Sequence, residues 1–146
     1  MANRVTYPNP SGQKGTINIS GSFQIAPTSN AIVNLTGDAA TGSGPGQGVS
    51  GFVKSITRTS TGVYVIHLAD LYTRLLFFAT NIMTAAATPL DGMQTAETVA
   101  GVSGLPGSIT FTVVNTTTGT ATDLTDNVTD TTARCQFFAI LKNSSV

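Results

Sequence analysis

Short stretches of alternating apolar and small polar residues recur along this chain of 146 residues. An alternation of period two places the apolar side chains on one face of a β-strand. Such stretches at intervals of about ten residues, without helical periodicity, are typical of an all-β sandwich. We therefore predict a single all-β domain, an antiparallel β-sandwich at residues 16–146, preceded by a flexible N-terminal arm at 1–15. The predicted strands are 14–25, 31–36, 51–58, 63–69, 72–79, 108–115 and 134–142.

Two of these strands carry apolar residues on both faces. The strand at 72–79 is apolar on both sides from Leu75 onward, which predicts burial on both sides. The strand at 134–142 alternates Cys135 and Phe137 with Phe138 and Ile140. We expect this last strand to be buried on both faces, or to lie at the centre of a sheet.

The residues between the predicted strands indicate one hairpin and several loops. The stretch 59–62 ends in Gly62 and suits a hairpin turn, after which Tyr64, Ile66 and Leu68 share one face. The stretch 37–48 is rich in glycine, and 84–106 has no clear period, so both are predicted loops. The alanines at 85–87 suggest a brief helical turn.

The charged residues make up only 10% of the chain, seven basic and seven acidic, and the formal net charge is zero. The basic residues are scattered singly, whereas a nucleic-acid binder needs a basic stripe to neutralise phosphates. We therefore expect no nucleic-acid partner. A neutral chain with few charges repels itself weakly and tends to associate, which suits a subunit of an assembly.

The sequence also bears on the compartment. The N-terminus has no apolar stretch of signal-peptide length, and the strongly apolar run 75–79 is far too short to cross a bilayer. A lone cysteine, Cys135, fits a reducing compartment. We expect a protein made in the cytoplasm with no membrane partner.

The residue types that catalysis needs are scarce. His67 is the only histidine, and at strand spacing it points to the side opposite Asp70. No G-x-S-x-G turn is present to expose a nucleophilic serine. We expect His67 to be a sheet histidine, hydrogen-bonded or partly exposed, and Cys135 to be an inert core thiol. The sequence predicts no enzyme activity and no cofactor.

Two further patterns admit a functional and a structural interpretation. Residues 46–51 match G-x-G-x-x-G, but a strand pattern rather than a helix follows them, so a flexible loop is the better interpretation. Asp123, Asp126 and Asp130 lie close together in sequence. They predict either a weak cation site or, as we favour, a solvated acidic turn.

Two stretches resemble a known family. Residues 56–64 follow the pattern I-x-R-T-x-T-G-x-Y, a strand and an x-D-x-Y step at 69–72 come next, and the chain ends in the strand and tail 134–146. These stretches resemble small structural proteins of tailed bacteriophages, and are similar to capsid cement, or decoration, proteins. The resemblance implies a sandwich of jelly-roll type that binds the outside of an assembled shell.

The resemblance and the composition predict the same function. We expect a virion structural protein on the capsid exterior, a homodimer or homotrimer that binds the major capsid protein without covalent bonds. Flexibility alone suggests where it touches the shell. The predicted contact residues are Tyr7, Pro8, Pro10, Gly44, Pro45, Lys142 and Val146.

Two alternatives stay open at this point. One is a head-fibre, tail or baseplate component, for which internal repeats would be expected in a fibre. The other is a carbohydrate-binding or hydrolytic jelly roll, in which Tyr64, Tyr72 or a loop aspartate would contact the sugar.

Overall fold

The computed structural model describes residues 15–26, 31–37, 52–70, 72, 74–84, 90–98, 107–124 and 133–142. These residues form nine β-strands and no helix. In particular, the described part of the chain includes no helix long and apolar enough to cross a membrane. The strands are β1 (Thr16–Ile25), β2 (Ile32–Gly37), β3 (Val53–Ser60), β4 (Val63–Leu68), β5 (Arg74–Met83), β6 (Leu90–Thr98), β7 (Ser108–Asn115), β8 (Thr120–Ala121) and β9 (Arg134–Lys142).

The strands form two antiparallel sheets. Sheet A has the order β2-β1-β9-β5, and sheet B has the order β3-β4-β7-β6 with the short β8 beside β7. The predicted antiparallel β-sandwich is therefore confirmed. The finer jelly-roll assignment stays a prediction, because this order contains the hairpins β1–β2, β3–β4 and β6–β7, and does not by itself establish two interlocked Greek keys.

The core lies between the inner faces of the two sheets. Every second residue of β4, β7 and β9 is buried, as expected for strands with one face on a core. An aromatic cluster joins the sheets: the Phe111 ring of sheet B lies 6.3 Å from Phe23 and 5.5 Å from Phe78, both of sheet A, between ring centroids. Tyr64 completes it, 5.4 Å from Phe23 and 5.6 Å from Phe111.

Strand β5 differs from its predicted burial. It lies at the end of sheet A, and Leu76 and Phe77 are exposed on it, so the prediction that both faces are buried is wrong. The pairing with β9 shifts between Leu75 and Phe77, where two residues of β5 oppose one of β9. Such a bulge turns two consecutive side chains outward. Within the apolar run, Leu75 is therefore buried, whereas Leu76 and Phe77 are exposed.

Strand β9 lies between β1 and β5, which confirms the predicted central position. Its outer face is not buried, however, because Gln136 and Phe138 are exposed. The prediction of burial on both faces is wrong here as well. An apolar residue on a pleated face is buried only if another layer covers that face, and the periodicity of one strand does not report a second layer.

Strand β6 lies inside 84–106, which the sequence analysis predicts as a loop, and that prediction is wrong. Its glycine, alanine and acidic residues have low strand propensity. The strand forms through a long pairing with β7, from Leu90 opposite Asn115 to Thr98 opposite Ser108. The remaining predicted strands and the 59–62 hairpin are confirmed. Residues 1–14, 38–51 and 85–89, and with them the arm, the glycine-rich loop and the helical turn, lie outside the described residues.

Candidate functional site

Of the seven predicted contact residues, one lies within the described structure. Lys142 is the last residue of β9 and pairs with Thr16 of β1 and Arg74 of β5. Tyr7, Pro8, Pro10, Gly44, Pro45 and Val146 lie outside the described residues, so their predicted role stays a prediction. The structure points instead to a surface that the sequence analysis did not identify.

An exposed apolar surface covers the outer face of sheet A where β5 meets β9. Leu76, Phe77 and Phe138 are 44%, 50% and 37% exposed, and Ile140 beside them is half-buried. The rings of Phe77 and Phe138 are in contact, with centroids 6.2 Å apart. We call these four residues the apolar patch. Two phenylalanine rings that lie together at the surface are suited to binding a partner.

The strand register explains why the patch is continuous. Phe77 pairs with Ile140, and Ala79 pairs with Phe138, so the side chains of Phe77, Phe138 and Ile140 occupy neighbouring positions on one face. The bulge at Leu76 brings a further apolar residue to the same region. These positions lie on strands whose other faces pack in the core, so the core holds the patch in place.

Polar residues border the patch within the same sheet. Asn81 donates a hydrogen bond from Nδ2 to Oε1 of Gln136 at 3.2 Å, across β5 and β9. On the other side, Asn18 and Ser20 of β1 are exposed, and they pair with Ile140 and Phe138. An apolar centre with a hydrogen-bonding border is the usual composition of a protein–protein interface.

The sequence contained a signal for this surface. A strand that is apolar on both faces is either covered on both sides or exposes an apolar face. The sequence prediction for the run 75–79 takes the first of these alternatives, burial on both sides. The low charge of the chain, which favours association, supported the second.

A second group of interacting side chains lies at the end of the β3–β4 hairpin. Arg58 donates to both carboxylate oxygens of Asp123, from Nε to Oδ1 at 2.9 Å and from Nη2 to Oδ2 at 2.5 Å. The amide of Gly62 and the hydroxyl of Tyr64 also donate to Oδ1, at 2.7 and 3.1 Å. The carboxylate thus accepts four hydrogen bonds. We call this group the Asp123 clamp.

The clamp fixes the segment after β8 to the hairpin. The Tyr64 hydroxyl also accepts a hydrogen bond from the amide of Leu124 at 3.4 Å, and Leu124 is buried. Burial raises the pKa of Tyr64, so the phenol stays protonated and continues to donate. The polar atoms of the clamp hydrogen-bond to one another and to the backbone of Gly62 and Leu124, and we therefore interpret the clamp as structural. The prediction of a solvated turn is wrong for Asp123, while Asp126 and Asp130 lie outside the described residues.

The clamp predicts a pH dependence of stability. Burial alone would raise the pKa of Asp123, but the hydrogen bonds from Arg58 and Gly62 and the charge of Arg58 hold it below its ordinary value of 3.8. A carboxyl group whose pKa falls on folding stabilises the fold above the unfolded value, and this stabilisation is lost as the pH falls through the folded value. We expect Asp123→Asn to lower the free energy of unfolding at pH 7 by about 1 to 3 kcal/mol, because the partners of the carboxylate lose their acceptor, measured by urea denaturation.

The same variant should lose less stability than the wild type when the pH falls below 3.8, because its side chain no longer takes up a proton. Lys54→Gln, which removes an exposed charge from the same hairpin, is the control and should change the pH 7 stability by less than about 0.5 kcal/mol. An Asp123→Asn protein with the stability and acid sensitivity of the wild type would contradict the role given to the clamp.

The other candidate residues have structural surroundings. His67 is half-buried on sheet B and hydrogen-bonds through Nε2 to Oγ1 of Thr57 at 2.9 Å, which confirms the predicted sheet histidine. Burial lowers the pKa of His67, and the charge of Lys54 lowers it further. Cys135 is buried as predicted, and burial raises the pKa of its thiol to about 12. Among the described residues, no three histidine, cysteine or acidic side chains group together as metal ligands.

The tyrosines named for a carbohydrate site do not lie at the surface. Tyr64 is fully buried and Tyr72 is 2% exposed. A sugar stacks on the face of an exposed ring, so neither residue can provide a platform. The part of the carbohydrate hypothesis that depends on them is wrong.

Comparisons of this chain with protein-family models, with curated proteins and with solved structures found no match. The function of the chain therefore has to be inferred from its own residues and surfaces.

Proposed function

We propose that this protein is a non-enzymatic structural subunit of a bacteriophage virion, a cement protein that binds the outside of the assembled capsid and stabilises it. Its partner is the major capsid protein, and the contacts are non-covalent. The observation that carries the proposal is the apolar patch, a rigid aromatic surface on one face of a β-sandwich. The link to a capsid comes from the resemblance of residues 56–72 and 134–146 to phage structural proteins.

The physical requirements of such a subunit agree with the described residues. A cement protein has to keep its shape while it bridges neighbouring shell subunits. The sandwich meets this requirement through a core that spans both sheets and a clamp that ties the segment after β8 to the β3–β4 hairpin. Binding to the shell then needs a surface whose removal from water lowers the free energy. The exposed phenylalanine rings provide such a surface.

Stabilisation follows from mass action. A subunit that binds the assembled shell and not its dissociated parts shifts the equilibrium toward the shell. The gain increases with the concentration of the subunit and with the number of sites on the shell. Binding as a homodimer or homotrimer at a symmetry axis, which we also propose, would let each copy contact more than one shell subunit.

The test uses shells assembled without this chain, to which the purified protein is added. We expect saturable co-sedimentation with the shells and a higher temperature of shell disruption, measured by light scattering. Shells disrupted by prior heating provide the control, since their separated subunits should bind less. Absence of binding, or binding only to isolated tails or fibres, would contradict the proposal, and the second outcome would favour the tail or head-fibre alternative.

A further inference from the structure

The charged residues are distributed unequally between the two sheets. The four strands of sheet A contain Arg74, Arg134 and Lys142 and no acidic residue. The strands of sheet B contain two basic residues in β3 and two acidic residues in β6. The zero net charge of the whole chain therefore conceals one sheet with three positive charges in excess.

These three cations lie at the two ends of the outer face that carries the apolar patch. Arg74 and Lys142 pair with each other at one end, and Arg134 pairs with Met83 at the other. The residues between Arg134 and Lys142 alternate, with buried side chains at the odd positions, so both cations point outward. Eight residues of extended strand separate them by about 26 Å. The face thus has an apolar centre between two cationic ends.

We propose that the outer face of sheet A docks on a protein surface that has an apolar centre and carboxylates on either side of it. This inference rests on the proposed function and names the chemistry of the site that the shell would offer. The inference depends on charge complementarity. No strand of sheet A contains an acidic residue with which Arg74 or Arg134 could pair. Carboxylates of a partner at the same spacing would pair with both ends while the apolar centres pack.

A second copy of this chain fits the face poorly. Two sheets that pack face to face in the aligned class keep their strand directions within about 30° of each other. With the strands antiparallel, Arg134 of one copy would lie over the Arg74 and Lys142 end of the other. With the strands parallel, each cationic end would lie over its equivalent. Either arrangement brings like charges together in an interface, which is unfavourable.

Nucleic acid and lipid fit it less well than protein. Three cations in two groups are few for phosphate binding, which usually takes about six to ten contacts. A lipid surface could accept the aromatic rings and the cations. It could not, however, satisfy the exposed amides of Asn18, Asn81 and Gln136 in its hydrocarbon region. A protein surface offers hydrogen-bonding groups at such positions.

The experiment compares two variants of sheet A with two matched variants of sheet B. The apolar variant is Phe77→Thr with Phe138→Thr, and its control is Val65→Thr on the outer face of β4. The charge variant joins Arg74→Gln, Arg134→Gln and Lys142→Gln, and its control is Lys54→Gln. Each protein is titrated against shells assembled without the chain, over a range of sodium chloride concentrations. Unfolding midpoints show whether each variant is folded.

We expect the apolar variant to bind about 30-fold more weakly or worse, as for the loss of central interface residues. The charge variant should bind about tenfold more weakly at low salt and lose most of the salt dependence of the wild type, since screening acts on the pairs that it removes. Both sheet B controls should bind as the wild type does. Midpoints close to the wild type would assign these losses to the surface rather than to unfolding.

The outcomes separate this inference from the proposed function. If the wild type binds shells and both sheet A variants bind equally well, the inference is overturned while the proposed function stands. Full salt dependence in the charge variant would also overturn it. If the wild type does not bind shells, both fail. Capture of the wild type, but not the sheet A variants, by phosphatidylserine vesicles would assign the face to a membrane, and a change of oligomeric state in the variants would assign it to self-association.

Discussion

Replacing Phe111 by alanine is expected to lower the free energy of unfolding by about 3 to 5 kcal/mol. Phe111 is fully buried in β7, and its ring contacts Phe23, Tyr64 and Phe78. The substitution leaves a cavity between the two sheets, whose backbones are held by their own ladders and close around it only in part. Urea denaturation followed by circular dichroism measures the change.

Phe138→Ala is the matched control, because Phe138 is also a strand phenylalanine with an aromatic neighbour but lies on the outer face of β9. We expect it to cost less than about 1 kcal/mol, chiefly the contact with the Phe77 ring. Equal losses in the two variants would contradict the assignment of the core to one face of β9. A stable Phe111→Ala protein would show that the aromatic cluster does not hold the sheets together.

Gly62→Ala is expected to cost about 2 to 5 kcal/mol, the sum of backbone strain and overpacking. Gly62 is the second residue of the β3–β4 turn and has φ of +69°, a conformation that residues with a Cβ rarely adopt. An added Cβ would lie 2.7 Å from the amide nitrogen of Thr122 and 2.8 Å from the carbonyl oxygen of Val113. Both are backbone atoms, so the hairpin and the segment after β8 would have to separate.

That separation would also weaken the clamp, because the Gly62 amide donates to Asp123. Gly119→Ala is the control: φ is +68° there, but no atom lies within 4 Å of the added Cβ. It should cost only the conformational strain, about 1 to 2 kcal/mol. Thermal unfolding of both variants gives the difference, and a loss at Gly119 as large as that at Gly62 would contradict the close packing described at the turn.

The sequence predicts the strands in which apolar and polar residues alternate strongly. It does not predict β6, which forms by pairing with the neighbouring strand β7. In strand β7, Ile109, Phe111 and Val113 alternate with mostly polar residues. This pattern allows only one face of the strand to pack on the core. Strand β6 has no such pattern and is held by its pairing with β7. Pairing with the next strand is a property of the folded sheet, and the periodicity of β6 alone does not contain it.

The candidate surface was missed for a related reason. The apolar residues of β5 and β9 can be recognised in the sequence, but which of them face solvent depends on the bulge at Leu76 and on whether a third layer covers sheet A. The clamp was missed because Arg58 and Asp123 lie far apart in the chain. The unequal charge of the two sheets, in contrast, can be read from the sequence once the strand order is known.

We propose that this sandwich binds a shell through the outer face of sheet A. A density map of shells saturated with the chain tests it most directly. We expect β5 and β9 to lie against the shell, with Phe77 and Phe138 excluded from solvent and carboxylates of the shell near Arg74 and Arg134. A map in which sheet A faces outward and sheet B contacts the shell would contradict it.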